Sequence, residues 1–216
     1  MSLQSELTAA LAASTIPEDI QAKMRDAIES LAGSGIVDAA PKVGDKLPEF
    51  ELGNQNGEMR KLSSLLEDGP LVVTFYRGGW CPYCNLELRA YQNILPAIHA
   101  AGADLVAITP ELPDSSLTTA EKNELEFEVL SDVGSKYAHE LGVVFTLPDE
   151  LHDIYVDFGI DPQEYNGTEV LELPLAATYV VSQSGVIAYA FVDADYTRRG
   201  EPIDVLQVLQ SPEMAA

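Results

Sequence analysis

Two cysteines lie three residues apart, in the sequence Cys81-Pro82-Tyr83-Cys84, and they are the only cysteines in the 216-residue chain. Two thiols cannot supply a four-ligand zinc site alone, and His99, His139 and His152 do not lie at spacings that would complete one. A single bridge over four residues cannot staple a secreted disulfide scaffold. The pair therefore indicates redox chemistry, and we expect neither a metal nor a cofactor.

The residues around the pair favour a reactive thiolate. A strand predicted at Leu71–Tyr76 precedes the cysteines, and a helix predicted at Pro82–Ala101 follows them. Thiols on a first helical turn lie close enough to form a disulfide, and Pro82 is well tolerated there because its position needs no N–H donor. The positive end of the helix stabilises a thiolate. We therefore predict a redox-active Cys81–Cys84 disulfide.

Local charge points the same way. The chain carries 35 acidic and 12 basic residues, a net charge of -23, yet residues 77–89 contain two arginines and one glutamate, a net +1. A free thiol is only about 3% ionised at pH 7, so nearby positive charge increases the supply of nucleophile. We predict that Arg77 supports the thiolate and that Arg89 pairs with a surface acid. Trp80 is expected to shield the sulfur or to form a docking surface for a partner.

Overall composition excludes several classes of function. A strongly acidic chain repels phosphate backbones and anionic lipids, and its only adjacent basic pairs are Arg60-Lys61 and Arg198-Arg199. No apolar run approaches the length of a membrane span, and the first residues do not resemble an export signal. We therefore expect a soluble, cytoplasmic protein that binds neither nucleic acid nor membrane.

The elements that must position the cysteines follow an α/β pattern. Residues 1–40 read as a helical extension, a packing appendage or a dimerisation arm, and residues 41–216 as one domain with a central mixed β-sheet flanked by helices. The segment that starts at Leu147 is long enough to form a lid or an oligomer contact. Strands are predicted at Leu47–Leu52, Leu71–Tyr76, Asp104–Thr109, Val143–Thr146, Thr178–Ser182 and Val186–Val192. Further helices are predicted at Leu117–Glu124, Asp132–Leu141, Glu150–Phe158 and Pro202–Gln210.

The stretch from Phe75 to Leu88, FYRGGWCPYCNLEL, resembles the CxxC-bearing, peroxiredoxin-like branch of the alkyl hydroperoxide reductase and thiol-specific antioxidant family. Similar stretches cover roughly residues 43 to 210 and include VGDKLPEF from Val43, LSD from Leu130, ATYVV from Ala177 and DYTRR from Asp195. The resemblance implies a thioredoxin-like fold and a thiol-dependent peroxidase that reduces hydrogen peroxide or alkyl hydroperoxides. Thioredoxin, glutaredoxin or glutathione would then be the reductant, and a homodimer is one expected assembly.

The roles of the two cysteines stay open at this stage. A thioredoxin-like interpretation makes Cys81 the attacking thiolate and Cys84 the resolving thiol. Alignment with typical peroxiredoxins reverses the roles and places Arg77 where the family has proline. The family also has an arginine just before the late strand, which residues 170 to 177 lack. Arg77, Arg198 and Arg199 are the candidates to replace it.

Two other functions remain as alternatives. The Cys-Pro-Tyr-Cys sequence is of the glutaredoxin type and would suit a protein dithiol-disulfide oxidoreductase. A non-catalytic module, either a redox sensor or a dimer that shares an iron-sulfur cluster, would also use such a pair.

Overall fold

The computed structural model describes residues 2–211 and Met214, and within them the chain forms nine strands and ten helices. The strands are β1 (Glu51–Asn54), β2 (Met59–Lys61), β3 (Leu71–Phe75), β4 (Asp104–Thr109), β5 (Glu128–Ser131), β6 (Val144–Thr146), β7 (Glu172–Pro174), β8 (Ala176–Val181) and β9 (Ile187–Asp193). The helices are α1 (Leu3–Ala12), α2 (Glu18–Ala32), α3 (Ile36–Ala39), α4 (Leu62–Leu65), α5 (Pro82–Ala100), α6 (Pro113–Lys122), α7 (Lys136–Glu140), α8 (Asp149–Asp157), α9 (Pro162–Asn166) and α10 (Pro202–Leu209).

Seven strands form one central sheet in the order β2-β1-β5-β4-β3-β8-β9. The interior strand β3 is parallel to β4 and antiparallel to β8. Successive side chains of a strand face opposite sides, and both faces of β3 are buried. Val73 belongs to one apolar core, whereas Val72 packs in a second core with Leu88 and Tyr91 of α5. The predicted α/β class with a mixed, helix-flanked sheet is confirmed.

Two of the predicted strands differ from the structure. The strand at Val143–Thr146 forms as β6, but it pairs antiparallel with β7 in a separate two-stranded sheet. Its residues are only partly covered, so it lacks the two buried faces of a central strand. The strand predicted to start at Leu47 begins at Glu51. Pro48, which has no N–H group for a sheet hydrogen bond, lies in the part that stays irregular.

One predicted helix starts later than its apolar pattern suggests. The helix expected from Asp132 begins at Lys136 as α7. The carboxylate of Asp132 accepts hydrogen bonds from the backbone N–H groups of Tyr137 (3.1 Å) and Ala138 (2.9 Å). Asp132 therefore satisfies the free donors at the start of the helix from outside it.

The first two helices pack against the rest of the chain. Leu3 and Leu7 of α1 are buried, and this helix lies on α5. The carboxylate of Glu201, just before α10, accepts hydrogen bonds from the backbone N–H groups of Leu3 (3.1 Å) and Gln4 (2.7 Å). Met24 of α2 packs in a third apolar cluster that includes residues of α8. Among the residues described, no helix combines the length and apolar character needed to span a bilayer.

We expect Leu7→Ala to destabilise the whole protein by about 2–5 kcal/mol, because it deletes a large buried side chain between α1 and α5. Urea unfolding measures the change. Leu11→Ala is the matched control on the same helix, since Leu11 is 47% exposed, and it should stay within about 0.5 kcal/mol of the parent. Equal effects of the two substitutions would contradict the packing of α1 described here.

Candidate active site

The two cysteines lie at the junction between β3 and α5, as the sequence predicts. Cys81 is the N-cap residue of α5, Pro82 occupies the first turn, and Cys84 lies in that same turn. Both cysteines are free thiols, and both are fully buried. The backbone N–H of Asn85 bonds the carbonyl of Cys81 at 3.1 Å, which starts the helix at the cysteine itself. The pair thus sits at the positive end of a 19-residue helix.

Each sulfur accepts a hydrogen bond from its own guanidinium group. Nη2 of Arg77 lies 3.1 Å from Sγ of Cys81, and Nη2 of Arg199 lies 3.3 Å from Sγ of Cys84. Both arginines are 4% exposed. Arg198, the neighbouring candidate, is exposed and pairs with Asp193 at 3.0 Å. Of the three arginines proposed from the sequence, the structure brings two to the sulfurs and leaves the third at the surface.

The two guanidinium groups differ in what balances their charge. Nε of Arg199 forms an ion pair of 2.6 Å with Oε2 of Glu87, and both side chains are 1% exposed. Among the described residues, Arg77 has no carboxylate within ion-pair distance. It donates instead to the hydroxyl of Tyr155 (3.1 Å), and its guanidinium carbon lies 3.8 Å from the ring centre of Tyr196. The positive charge of Arg77 is therefore left to act on Cys81.

The pKa values of the two thiols shift in opposite directions. Burial alone would raise the pKa of Cys81, but the hydrogen bond from Cys84 and the charges of Arg77 and Arg199 outweigh it and hold that pKa well below its usual range. Burial, and then the hydrogen bond and charge of Cys81, raise the pKa of Cys84 well above its usual range. The electrostatics favour a Cys81 thiolate that accepts a hydrogen bond from the Cys84 thiol.

The segment that leads into Cys81 is held on both sides at Gly79. Its N–H lies 3.1 Å from each oxygen of Glu111, and its carbonyl accepts a hydrogen bond from Nδ2 of Asn85 at 2.8 Å. A Cβ atom at this position would lie 2.0 Å from Oγ1 of Thr119. Only glycine therefore lets the chain pass between these groups.

Arg89 does not pair with a surface acid, and that prediction is wrong. Its Nη1 donates to Oδ1 of Asn123 at 2.9 Å, and Nδ2 of Asn123 donates to Oδ1 of Asn85 at 2.7 Å. Asn123 directly follows α6 and faces α5, so an amide rather than a carboxylate meets the arginine. Arg89 thus reaches Gly79 through two amide side chains instead of acting at the sulfurs.

Aromatic side chains pack around Arg77 and against the apolar cluster that contains both cysteines. The ring centres of Trp80 and Tyr155 are 5.6 Å apart, and those of Tyr83 and Tyr196 are also 5.6 Å apart. The centre of the Trp80 ring lies 5.2 Å from the guanidinium carbon of Arg77. Tyr155 belongs to α8, so the segment after Leu147 lies against the site. All four residues predicted for the site, namely Arg77, Trp80, Cys81 and Cys84, are found together.

Sequence reasoning gave no role to several residues that the structure places here. Glu87 follows Cys84 by three positions on α5 and shares its buried face, a spacing that could have indicated a buried partner. Glu111 and Tyr155 come from the loop after β4 and from α8, and no motif links either residue to the cysteines. Tyr196 lies within the DYTRR stretch, which carried a family resemblance without a role for the tyrosine.

A thioredoxin-like fold with a buried CxxC pair between a strand and a helix defines a thiol-dependent oxidoreductase. A sequence model described as the AhpC/TSA family matches residues 43–190. The chain therefore belongs to the AhpC/TSA family, as its sequence resemblance predicted.

Relatives within the family are similar over most of their length. The chain is 29% identical over 203 residues to the chloroplastic peroxiredoxin Q of Oryza sativa subsp. japonica, covering 93% of this chain and 81% of the relative. It is 30% identical over 148 residues to the chloroplastic peroxiredoxin Q of Sedum lineare, covering 68% and 67%. The crystal structure of peroxidoxin BcpB from Mycobacterium tuberculosis matches with a TM-score of 0.62 and 23% identity over 78% of this chain and 96% of that chain. This last similarity shows a shared fold.

We expect Arg77→Met to raise the pKa of Cys81, because it removes the uncompensated positive charge and a charge-assisted hydrogen bond. Such a bond contributes about 1.5–3 kcal/mol, so the ionisation constant of Cys81 should fall about tenfold or more. A pH titration of thiolate absorbance measures it. Arg198→Met is the matched control and should leave the titration unchanged. A Cys81 titration that is unaltered in Arg77→Met would contradict the electrostatic argument.

We expect Glu111→Gln to change how stability depends on pH. Burial raises the pKa of Glu111 to about 7, against the hydrogen bond from Gly79. Since the folded pKa lies above the unfolded one, the folded protein loses stability as pH rises from about 4.5 to about 7, and the full loss persists above that range. The neutral amide keeps an acceptor for Gly79, so the variant should gain up to about 3 kcal/mol over the parent at alkaline pH and little at acid pH.

Urea unfolding across this pH range measures the difference. Glu121→Gln, a substitution of an exposed glutamate on α6, should follow the parent at every pH. A difference between Glu111→Gln and the parent that stays constant with pH would exclude a raised pKa as its cause.

Proposed function

We propose that this AhpC/TSA-family oxidoreductase reduces hydrogen peroxide or alkyl hydroperoxides through Cys81 and Cys84. A thiolate attacks one peroxide oxygen, so that an S–O bond forms, the O–O bond breaks, and the released alkoxide or hydroxide takes up a proton. The partner thiol then attacks the sulfenic acid, forms the Cys81–Cys84 disulfide and releases water. An external dithiol such as thioredoxin or glutaredoxin, or two molecules of glutathione, reduces the disulfide.

The contact between Arg77 and Cys81 supports Cys81 as the attacking thiolate. This guanidinium has no carboxylate partner among the described residues, whereas Arg199 at Cys84 is neutralised by Glu87. Arg77 also remains beside the sulfur as negative charge develops on the leaving oxygen. Cys84 is then the resolving thiol, and Trp80 shields the pair. These roles follow the thioredoxin-like assignment rather than the one from the peroxiredoxin alignment.

The burial of both sulfurs favours a small molecule over a protein as the substrate. A disulfide in a folded protein, or an iron-sulfur cluster shared between two chains, requires a sulfur atom at the surface. Both sulfurs are fully buried, and Trp80 and Tyr83 pack against the apolar cluster that contains them. A hydroperoxide needs only a narrow path, so the peroxidase is preferred over a protein disulfide reductase and over a cluster-binding module.

The proposal extends to the limits of the domain and to the assembly of the protein. Residues 1–40 are assigned as a helical extension on a domain of residues 41–216, supported by the packing of α1 on α5 and of α2 on α8. This packing within one chain favours an appendage over a dimerisation arm. A homodimer and a cytoplasmic location stay predictions, and light scattering would test the first.

One equivalent of hydrogen peroxide, added to each single Cys→Ser variant, separates the two cysteine roles by mass spectrometry. We expect Cys84→Ser to accumulate a sulfenic acid on Cys81, because the resolving thiol is absent. Cys81→Ser should react more slowly, because burial still raises the pKa of Cys84 and Glu87 neutralises the arginine beside it. The double variant is the control for background consumption of peroxide.

The opposite pattern would assign the attack to Cys84 and retain the peroxidase. Reaction of neither variant with peroxide, together with reduction of insulin disulfides by the parent, would replace the peroxidase with the dithiol-disulfide oxidoreductase.

A further inference from the structure

A cleft of about 410 Å³ opens between α2 and the segment that joins β6 to α8. One wall is α2, and the facing wall consists of β6, the first turn of α8 and the two residues between them. Both walls are mainly apolar, and an ion pair of 2.6 Å between Lys23 and Glu150 joins them. The apolar wall residues include Met24, Ala27, Ile28 and Leu31 on the first side and Phe145, Leu147 and Leu151 on the second. A volume of this size suits a small organic molecule.

The inner end of the cleft reaches the side chains beside the reactive sulfur. Arg77, Tyr155 and Tyr196 all line it. Nη2 of Arg77 bonds Sγ of Cys81 and Nη1 bonds the hydroxyl of Tyr155, each at 3.1 Å. Nε of Arg77 is buried and has no hydrogen-bond partner among the described residues. An unsatisfied buried donor on a cation is costly, and an oxygen atom of a ligand in the cleft could satisfy it.

We propose that this cleft binds the organic group of a bulky, apolar hydroperoxide and that α2 is its specificity-determining wall. The inference rests on the proposed peroxidase activity and deepens it. The peroxide end of such a ligand lies toward Arg77 and Cys81, and the apolar group lies between α2 and α8. The O–O bond is broken as in the cycle above, and the product that leaves the cleft is the corresponding alcohol.

The α2 wall lies outside the part of the chain that the family model matches. The family match covers residues 43–190, whereas α2 spans Glu18–Ala32. Four apolar residues of α2 that line the cleft, Met24, Ala27, Ile28 and Leu31, therefore come from outside the family match. Hydrogen peroxide has no apolar surface to place against them, but an organic hydroperoxide buries such surface and gains affinity in proportion to its area. The cleft should thus favour the organic substrate.

Peroxidase kinetics with cumene hydroperoxide and with hydrogen peroxide test whether α2 determines the preference for the organic substrate. Ala27→Phe places a ring in the cleft, and we expect the ratio of kcat/KM for cumene hydroperoxide to that for hydrogen peroxide to fall at least about fivefold. Ala22→Phe is the matched control, because it makes the same change on α2 at a position that does not line the cleft. It should leave the ratio as in the parent. An unchanged ratio in folded Ala27→Phe would overturn the proposal.

A binding experiment keeps the test independent of peroxide turnover and of the variant's folding. Trp80 is the only tryptophan in the chain and its ring contacts Tyr155, so its fluorescence reports on the inner end of the cleft. Cumyl alcohol, the product of cumene hydroperoxide, should change this fluorescence in the parent with saturation, and it should compete with cumene hydroperoxide in turnover.

The two measurements distinguish failure of the cleft from failure of the peroxidase. If cumyl alcohol causes no saturable change in fluorescence, the proposal that the cleft binds the organic group is wrong, whatever peroxides the protein reduces. Saturable binding without turnover of either peroxide would support the cleft and refute the proposed function.

Discussion

A negatively charged sulfur inside a protein core requires a cation beside it, because burial penalises the charged form of a thiol. Here both sulfurs are fully buried, and each accepts a hydrogen bond from a buried guanidinium. The cations must themselves be accommodated. Glu87 neutralises Arg199, whereas aromatic rings and a hydroxyl surround Arg77. The hydrogen bond between the two thiols, together with the different partners of the two cations, makes two chemically identical side chains unequal, and the proposed roles of the cysteines follow from that inequality.

The surrounding fold maintains this arrangement from several directions. The β3–α5 junction places Cys81 at the start of a helix, and Glu111 and Asn85 fix the backbone of Gly79 ahead of it. Tyr155, which accepts a hydrogen bond from Arg77, belongs to α8. Arg199, which donates to Cys84, lies in the segment between β9 and α10. The charged groups of the site are themselves buried, apart from the acidic surface of the chain. What matters is the small group of buried charges at the centre of a protein whose overall charge has the opposite sign to the arginines.

The parts of the site that are close in sequence could be predicted, and the distant parts could not. Cys81, Cys84, Arg77 and Trp80 fall within eight residues of one another, so a strand followed by a helix brings them together regardless of the remaining topology. Arg199 could be named only as one of three candidates, because 115 residues separate it from Cys84. The apolar runs of β3, β4 and β8 identify the centre of the sheet. Strands of three residues, such as β2 and β7, carry too short a pattern, and β6 matches a core strand in composition while pairing elsewhere.

The dependence of the site on the end of the chain has a consequence for biosynthesis. A ribosome makes the chain from its N-terminus, so Cys81 and Cys84 emerge long before Arg199 does. Glu201, which holds the first turn of α1, follows two residues after that arginine. The nascent chain therefore carries its thiol pair without the second guanidinium, and the first turn of α1 without the carboxylate of Glu201. Both are completed by the same late stretch of translation, which ties the maturation of the redox centre to the closure of the whole fold.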